Sequence, residues 1–367
     1  MKRICHLTSV HKWNDVRIFE KECVSLAKAG FDVSLIAVNC KPGKFEGVNI
    51  ISVNIADAGR LKRMTGIVNA VFQTAVKVNA DLYHLHDPEL LRIARKLKKL
   101  GKKVVYDSHE DLPRQILDKT WITPLIRKSV AGITEKYEDR VAARLDGVVA
   151  ATPLIRDRFL KINRNTIDVN NYPIVEKFHA HTNWNDKKNE ICYIGGIFSS
   201  RGIPELIDAV ELTDARLNLA GNYSPESFRK KLMTKKGWSK VNEHGFADRK
   251  KIQDILSTSK AGVVTLHPTR AYLHSLPVKM FEYMAAGIPI IASDFPLWKD
   301  LIEKHKCGLY VDPNDSKAIA GKINYLLSHE HEAKQMGTNG RVAVEREFSW
   351  KTEANKLAEF YNYILNK

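Results

Sequence analysis

Two side chains of opposite charge, Lys279 and Glu282, lie three positions apart in the stretch 274–294. Apolar runs at 261–266 and 288–293 flank this stretch, a pattern that predicts a helix between two buried parallel strands. Residues three apart are neighbours on one helical face, so an ammonium and a carboxylate would point the same way. This pair suits the phosphates and hydroxyls of a nucleotide sugar. An ordinary amphipathic helix with one surface ion pair explains the spacing equally well.

The start of this predicted helix favours an anion. Pro277 suits a first helical turn, where the missing N–H is not needed. The free N–H groups beside it would face a negatively charged ligand. In such sheets ligands bind at the carboxyl ends of the strands, where the helices begin. The stretch therefore predicts a ligand site at the helix start.

A second candidate for phosphate binding lies at 191–202. This segment has the pattern of a strand, a Gly195-Gly196 turn and a helix with Arg201 near its start. Backbone amides and a guanidinium together favour a diphosphate, and a charge-assisted hydrogen bond of this kind contributes about 1.5–3 kcal/mol. A Gly-Gly turn alone is a weak signal for such a site.

Polar residues also follow predicted strands of the first half. The opening strand-helix-strand unit lacks a Gly-x-Gly-x-x-Gly turn, which argues against a dinucleotide site. His86 ends one strand, and His109 and Glu110 follow the next, so we expect them at one edge of the sheet. Turn and capping chemistry is the alternative for the latter two. His84 and His86 lie on one side of their strand, but no third ligand stands at a usual spacing, so no metal site is predicted.

Length and composition indicate a two-domain globular protein. The 367 residues exceed what one hydrophobic core usually serves. Hydrophobic residues make up 44%, and no apolar run approaches the roughly 20 residues of a spanning helix. The chain opens directly into a strand without a signal-peptide pattern, and its five cysteines form no Cys-x-x-Cys pair. We therefore expect a cytoplasmic protein with reduced thiols.

The net charge of +16 is concentrated in the first half of the chain. Residues 1–173 contain 30 Lys and Arg against 19 Asp and Glu, or +11, and residues 174–367 contain 28 against 23, or +5. A basic half suits nucleic acid, an anionic membrane or a phosphorylated substrate. No aromatic platform, zinc pattern or RNA-recognition signature accompanies the basic cluster at 92–103, so nucleic acid is not expected.

The run from Ser275 to Ser293, Ser-Leu-Pro-x-Lys-x-x-Glu-Tyr-Met-Ala-Ala-Gly-x-Pro-x-Ile-Ala-Ser, resembles the donor-site signature of glycosyltransferase family 4. Members of that family are retaining enzymes of the GT-B fold. The resemblance, which extends over nearly the whole chain, implies an α/β architecture of two Rossmann-like, doubly wound parallel-sheet domains facing a central cleft. The predicted parts are an acceptor-side domain at 1–173, a linker at 174–189, a donor domain at 190–347 and a final helix at 348–367 that returns to the first domain.

The resemblance also implies a donor site in the second half of the chain. Its predicted members are Gly195, Gly196, Arg201, Phe246, Ser275, Leu276, Lys279 and Glu282. Among them, the two cations match the family's pyrophosphate ligands and Glu282 matches the carboxylate at the ribose. Phe246 stands in the segment that frames the base.

At the sugar end, His86 matches a histidine that contacts the donor sugar in the family. His274 departs from the family pattern, because a glutamate usually stands there. The predicted catalytic set is therefore His86, Glu282 and His274.

The loop 10–17 faces the acceptor in the family, which makes Asp15 and Arg17 candidate acceptor contacts together with His109 and Glu110. From the residues alone, Asp15 is equally well a helix N-cap and Arg17 a surface charge of the first turn.

The sequence thus predicts a retaining, metal-independent glycosyltransferase. It would move a sugar from a nucleoside diphosphate sugar, with UDP or GDP as nucleotide, to a saccharide or polyprenyl-linked acceptor in cell-surface polysaccharide synthesis, without a cofactor. Contact with the anionic inner face of the cell membrane would explain the basic first half. Two alternatives stay open: another GT-B enzyme, such as a sugar-nucleotide epimerase or a phosphorylase, and a non-catalytic protein that binds nucleic acid or a membrane.

Overall fold

Short buried strands alternate with helices along most of the chain. A computed structural model describes residues 1–55, 60–119, 122–179 and 184–367. Contacts divide these residues into unit 1, Met1–Asn171 with Trp350–Lys367, and unit 2, Tyr172–Ser349. Each unit is described by itself. Part of the predicted linker, 180–183, lies outside the described residues.

The elements are numbered along the chain. The strands are β1 Arg3–Leu7, β2 Asp32–Val38, β3 Gly43–Phe45, β4 Val48–Val53, β5 Leu82–Leu85, β6 Lys103–Ser108, β7 Gly147–Ala150, β8 Thr166–Asp168, β9 Glu190–Ile194, β10 Arg216–Ala220, β11 Val241–Gly245, β12 Ala261–Val264, β13 Ile290–Ser293 and β14 Gly308–Val311. The α-helices are α1 Val24–Lys28, α2 Arg60–Val78, α3 Leu91–Lys99, α4 Leu112–Asp118, α5 Pro124–Ala142, α6 Pro153–Leu160, α7 Ile203–Glu211, α8 Ser227–Met233, α9 Arg249–Thr258, α10 Arg270–Leu273, α11 Val278–Ala285, α12 Pro296–His305, α13 Ser316–Ser328, α14 Glu330–Arg346 and α15 Trp350–Asn366.

The sheet of unit 1 has the strand order β3-β4-β2-β1-β5-β6-β7-β8. Its described pairs are parallel except for the antiparallel β3-β4 pair. β1 lies between β2 and β5, where the strand order reverses. In β1, His6 is in register with His84 of β5. The carboxyl ends of strands at such a reversal are the usual ligand position in an open α/β sheet.

The sheet of unit 2 has the order β11-β10-β9-β12-β13-β14, and its described pairs are all parallel. Here the order reverses between β9 and β12. Helices cover both faces, so the central strands are buried and rich in Ile, Val and Ala. The predicted doubly wound, parallel-sheet architecture is therefore confirmed for both units.

The first helix of unit 1 differs from a regular α-helix. Residues Val16–Cys23 form a π-helical segment that continues as α1. The carboxylate of Asp15 accepts hydrogen bonds from the backbone N–H groups of Arg17 and Ile18, at 2.8 and 3.0 Å. This confirms Asp15 as an N-cap, since such a cap satisfies N–H groups of the first turn that have no partner within the helix.

The last helix, α15, belongs to unit 1 by its contacts. Trp350 Nε1 donates to Ser25 Oγ at 2.9 Å, and Glu353 accepts a hydrogen bond from the backbone N–H of Asn170 at 2.7 Å. Leu357 and Tyr361 are fully buried. The helix thus joins the two ends of the chain within one unit.

We expect Leu357→Ala to lower the free energy of unfolding by about 2–5 kcal/mol, because the truncation leaves a cavity in a packed interior. Urea denaturation followed by circular dichroism measures the loss. The matched control is Asn362→Ala on the exposed side of α15, which should change stability by less than about 0.5 kcal/mol. Equal effects of the two substitutions would contradict the packing of α15.

Candidate active site

The turn after β9 brings a backbone close to a buried lysine. Gly195 has φ +138°, and a Cβ at this position would lie 2.8 Å from Lys279 Nζ. A side chain here would therefore meet both backbone strain and a clash. Tyr193 Oη donates to the carbonyl of Gly196 at 2.8 Å and holds the turn. The glycine turn predicted from sequence thus allows Lys279 to approach the end of β9.

Lys279 is the most unusual charge of unit 2. Its side chain is buried, with 8% of the residue exposed, and Nζ lies 3.7 Å from the centroid of the Tyr193 ring. Nζ has no hydrogen-bond partner among the described residues. Burial lowers the pKa of Lys279 well below its usual value; nearby Arg201 lowers it further, and Glu282 opposes both effects. A buried ammonium group without a hydrogen-bond partner favours the binding of an anion.

Arg201 lies at the end of the turn Ser199–Arg201, before α7. Its guanidinium packs on the rings of Phe198 and Tyr272, at 4.8 and 5.0 Å from their centroids. Its Nε is buried and has no partner among the described residues. The next residue, Gly202, has φ +67°, and a Cβ there would overlap the carbonyl oxygen of Thr265. This close approach holds the turn against Thr265, the residue that follows β12.

The predicted signature residues surround this point. α11 begins at Val278, one residue after Pro277. Ser275 Oγ donates to the carbonyl of Tyr272 at 3.0 Å, and its own carbonyl accepts from Trp298 Nε1 at 2.7 Å. The side chain of Leu276 packs against the core of the unit. The loop before α11 is therefore fixed by hydrogen bonds and packing, while His274 is exposed.

Phe246 lies immediately after β11 and is 78% exposed. The neighbouring Gly245 has φ +62° and borders a pocket that Tyr223 and Arg229 also line. A large apolar ring exposed to this degree has area available for stacking a ligand. Its predicted contact with a nucleobase stays a prediction.

In unit 1 the structure places Arg17 differently from the surface charge that the residues alone suggested. Arg17 is 5% exposed. Its Nε and Nη2 donate to Asp107 at 3.2 and 3.0 Å, and its Nη1 donates to the carbonyl of Val169 at 2.8 Å. Its Nε also lies 3.1 Å from Glu22 Oε1. The surface-charge interpretation was wrong, because Arg17 neutralises buried carboxylates. Acceptor contact by Arg17 stays a prediction.

His86, Asp107 and His109 form one hydrogen-bonded group at the ends of β5 and β6. His86 Nδ1 lies 3.1 Å from His109 Nε2 and 3.3 Å from Asp107 Oδ2. The other nitrogen of His86 lies 2.8 Å from His6 Nδ1. The sequence correctly predicted that His86 and His109 meet. A sugar contact by His86 stays a prediction, and it requires the ring to exchange one of these partners.

Two acidic residues, Glu110 and Asp87, lie beside this hydrogen-bonded group, each just after a strand. Glu110 is exposed and accepts a hydrogen bond from Gln115. Asp87, at the end of β5, accepts hydrogen bonds from Ser9 N–H and Thr8 Oγ1 at 2.6 and 2.8 Å. These bonds and the neighbouring His11 hold the pKa of Asp87 well below its usual value, despite its burial. Asp87 thus fixes the loop after β1.

Sequence reasoning missed several residues of both sites. Tyr193 and Tyr272 were not selected, although their rings lie against the two cations. His6 and Glu22 were not selected, yet both are fully buried beside His84 and His86. One signal was available for Glu22, because a carboxylate interrupts the apolar face formed by Ile18, Phe19 and Cys23.

Two family profiles match the chain in succession. The profile described as Glycosyltransferase Family 4 matches residues 20–170, and the profile described as Glycosyl transferases group 1 matches residues 174–343. Together they cover most of both units. The chain belongs to the family 4-type glycosyltransferases. This confirms the resemblance seen in the signature around Lys279.

Individual relatives of this glycosyltransferase match shorter stretches. The capsular polysaccharide biosynthesis glycosyltransferase CapM of Staphylococcus aureus is 25% identical over 205 residues, 54% of this chain and 52% of that protein. A GDP-mannose-dependent alpha-(1-6)-phosphatidylinositol monomannoside mannosyltransferase of Mycobacterium tuberculosis is 33% identical over 88 residues, 24% of this chain. The chain thus spans 23% of the mannosyltransferase and about half of CapM.

Solved structures confirm the GT-B fold over the full length of the glycosyltransferase. HepE of Anabaena in complex with UDP-glucose superposes with a TM-score of 0.75, covering 99% of this chain and 100% of that chain at 16% identity. In the described residues, no helix is both long and apolar enough to cross a membrane.

The buried Lys279 predicts a proton linkage. An anion against Nζ stabilises the ammonium and raises its lowered pKa again, so binding takes up protons in the pH range between the two pKa values. Affinity for UDP should therefore fall as pH rises through this range. Titration calorimetry in two buffers of different ionisation enthalpy, at a pH where the phosphates of UDP are fully ionised, counts the protons.

Lys279→Met should abolish this proton uptake, whereas Lys299→Met, at a half-buried surface position, should retain it. Uptake that persists unchanged in Lys279→Met would show that another group is titrating.

Proposed function

We propose that this glycosyltransferase moves a sugar from a nucleoside diphosphate sugar to a saccharide or lipid-linked saccharide, with retention of anomeric configuration, in cell-surface polysaccharide or glycolipid synthesis. The observation that carries the proposal is the pair of buried cations, Lys279 Nζ and Arg201 Nε, neither of which has a partner among the described residues. The names of the relatives, a capsular polysaccharide enzyme and a phosphatidylinositol mannoside enzyme, support the acceptor class.

The leaving group explains why two cations are needed. Cleavage of the bond between sugar and diphosphate builds negative charge on the diphosphate oxygens. Donors that are already fixed in a site with little water stabilise that charge without reorganising. Lys279 supplies an ammonium and Arg201 a guanidinium that its two aromatic neighbours hold in place. In this proposal they neutralise the diphosphate without a divalent cation at the phosphates.

The other proposed donor contacts are to the ribose, the base and the sugar of the ligand. Glu282 lies on α11 one turn beyond Lys279, where its carboxylate would accept hydrogen bonds from the ribose hydroxyls. Phe246 would stack on the base, which we propose to be uracil or guanine. His274, exposed before α11, would contact the sugar. The bound UDP-glucose of HepE supports uracil as the first base to test.

The resemblance assigns the sugar and acceptor contacts to residues of unit 1. His86 would orient the donor sugar, as the family pattern implies. The partly exposed His109 and the exposed Glu110 would form hydrogen bonds with hydroxyls of the acceptor. Asp15 would do the same from the loop 10–17. These assignments rest on the resemblance and on the common position of His86 and His109 at the strand ends.

Arg201→Ala and Lys279→Ala should each weaken UDP binding and kcat/KM about ten- to hundredfold, the effect of losing one charge-assisted hydrogen bond. Thermal-shift titration with UDP, GDP, ADP and CMP compounds identifies the nucleotide, since a ligand of the folded state raises Tm by mass action. Lys299→Ala is the matched surface control. Wild-type transfer rates in both cation variants would refute the assignment of the diphosphate site.

Product analysis tests the reaction itself. Proton NMR of the first-formed product should show the anomeric configuration of the donor, and rates should be independent of added Mg²⁺ or Mn²⁺. Inversion would exclude the retaining mechanism. A sugar product formed from the nucleotide sugar alone, without an acceptor, would favour an epimerase.

A peripheral membrane contact is the second part of the proposal, and helix α5 supports it. Leu125, Ile126 and Ile133 are 91, 53 and 69% exposed, and Tyr137 on the same helix is 44% exposed. The helix also carries exposed Lys and Arg residues and lies against α3, whose outer face is basic. Exposed apolar side chains beside a basic surface fit the interface of an anionic bilayer.

Replacing Leu125 and Ile133 by Ser should reduce binding to vesicles that contain phosphatidylglycerol by at least about tenfold, because each side chain, if fully buried in the bilayer, contributes about 1.5–3 kcal/mol. Co-sedimentation measures the bound fraction. The exposed Leu212→Ser in unit 2 is the control. Equal binding of both variants, or no binding by the wild type, would remove the membrane from the proposal.

A further inference from the structure

Four buried side chains at the centre of unit 1 place ligand-type atoms around one point. His6 comes from β1, His84 from β5, His86 from the end of β5 and Glu22 from the π-helical segment. All four are at most 2% exposed, and their nearest ligand atoms lie within 4.8 Å of one another. None of these residues belongs to the diphosphate site of unit 2.

The carboxylate of Glu22 is the observation that demands an explanation. It is fully buried, and neither of its oxygens makes a hydrogen bond of good geometry with any described residue. Arg17 lies beside one oxygen, Oε1. The other, Oε2, is directed to the three imidazoles. A buried carboxylate oxygen without a donor costs more than a kcal/mol, so a native protein is expected to satisfy it.

The distances around Glu22 Oε2 are nearly equal. It lies 3.9 Å from His6 Nδ1, 3.9 Å from His84 Nδ1 and 3.9 Å from His86 Nε2. Four ligands at the roughly 2.0–2.1 Å bond lengths of zinc are about 3.4 Å apart in a tetrahedron. A metal ion would therefore need shifts of about half an ångström. The closest pair, His6 and His86 at 2.8 Å, would move apart as the metal replaces their shared proton.

The surroundings of the four groups suit a divalent ion. Arg17 lies between the carboxyl groups of Glu22 and Asp107, so two acidic groups share one guanidinium. Asp107 Oδ2 lies 3.3 Å from the second nitrogen of His86, the outer-sphere contact that often orients a histidine ligand. The hydroxyl of Tyr361, on α15, contacts His84 Nδ1, and a metal ion at this nitrogen would replace that contact.

We propose that His6, His84, His86 and Glu22 form a buried binding site for a divalent transition metal ion, with zinc as the first candidate. Three neutral imidazoles and one carboxylate are a donor set that favours zinc, iron, cobalt or nickel over magnesium and calcium. The ion would join β1, β5 and the π-helical segment. It is a structural ion of unit 1, separate from any cation at the diphosphate. His86 would hold it through Nε2, which leaves Nδ1, now beside Asp107 and His109, as the nitrogen that would turn to the donor sugar.

A second group of similar composition, His86, Asp107 and His109, is less suited to metal. Both oxygens of Asp107 already accept hydrogen bonds from Arg17, and one is also bonded to His109. No oxygen there lacks a donor. The unsatisfied carboxylate distinguishes the site at Glu22.

The full-length protein, purified and treated with a chelator, should bind one equivalent of Zn²⁺ and gain thermal stability from it. Cobalt substitution should produce the intense visible bands of four- or five-coordinate Co²⁺. X-ray absorption at the zinc edge should count three imidazoles and no sulfur. A folded protein that binds no equivalent of Zn²⁺ or Co²⁺, or a zinc with sulfur or fewer than two imidazole ligands, overturns the proposal.

Variants locate the ion. His6→Gln and Glu22→Gln should each weaken Zn²⁺ binding at least about tenfold, and His244→Gln in unit 2 should leave it unchanged. Zinc bound with wild-type affinity in both of the first two variants would overturn the proposal. If these variants do not fold, the ligand count from the wild type still decides the matter. Every readout is metal binding, so failure here is independent of the outcome for sugar transfer.

Discussion

The buried ammonium of Lys279 is the charge around which unit 2 is arranged. Removing a charge from water costs several kcal/mol when no counter-ion is at hand, so the surrounding structure must hold the side chain in place. Tyr193 lies under the ammonium, Gly195 leaves room for it, and Tyr283 fixes the end of β9 by accepting a hydrogen bond from the backbone N–H of Ile194 at 2.8 Å. Because this burial is costly, an anionic ligand at Lys279 would be favoured, since it would supply the missing counter-charge.

The strand order of unit 1 also reverses beside its first strand, but this unit balances its buried charges internally. Arg17 bridges Asp107 and Glu22, and the histidines at the strand ends form a continuous polar network. A buried polar network rigidifies a site when every group in it has a partner. The exceptions in the described residues are the two oxygens of Glu22 and Nε2 of His84, and a metal ion would give the oxygen that faces three imidazoles a partner. The two strand-order reversals thus prepare different chemistry, an anion site in unit 2 and a cation site in unit 1.

Much of the architecture could be predicted because it depends on local periodicity. Apolar strands alternating with amphipathic helices specify parallel sheets, and the helix predicted between the apolar runs 261–266 and 288–293 is α11. The positions of Lys279 and Arg201 were also predictable, because both stand at helix starts that follow strands. Two details escaped prediction. The residues alone suggested that Arg17 was a surface charge, since a first-turn arginine usually is one, and the histidines of unit 1 offered no ligand spacing along the chain.

By itself, the sequence determined the two-unit α/β fold, the family and the two cations of the donor site, because these follow from patterns within short segments. The tertiary structure decided which charges are buried and which side chains meet. His6 and His84 are 78 positions apart, and only the parallel register of β1 and β5 places them side by side. Whether Arg17 faces solvent or two carboxylates depends on how the π-helical segment packs on the sheet. Burial sets the energy of a charge, and burial is a property of the packed chain that no single segment encodes.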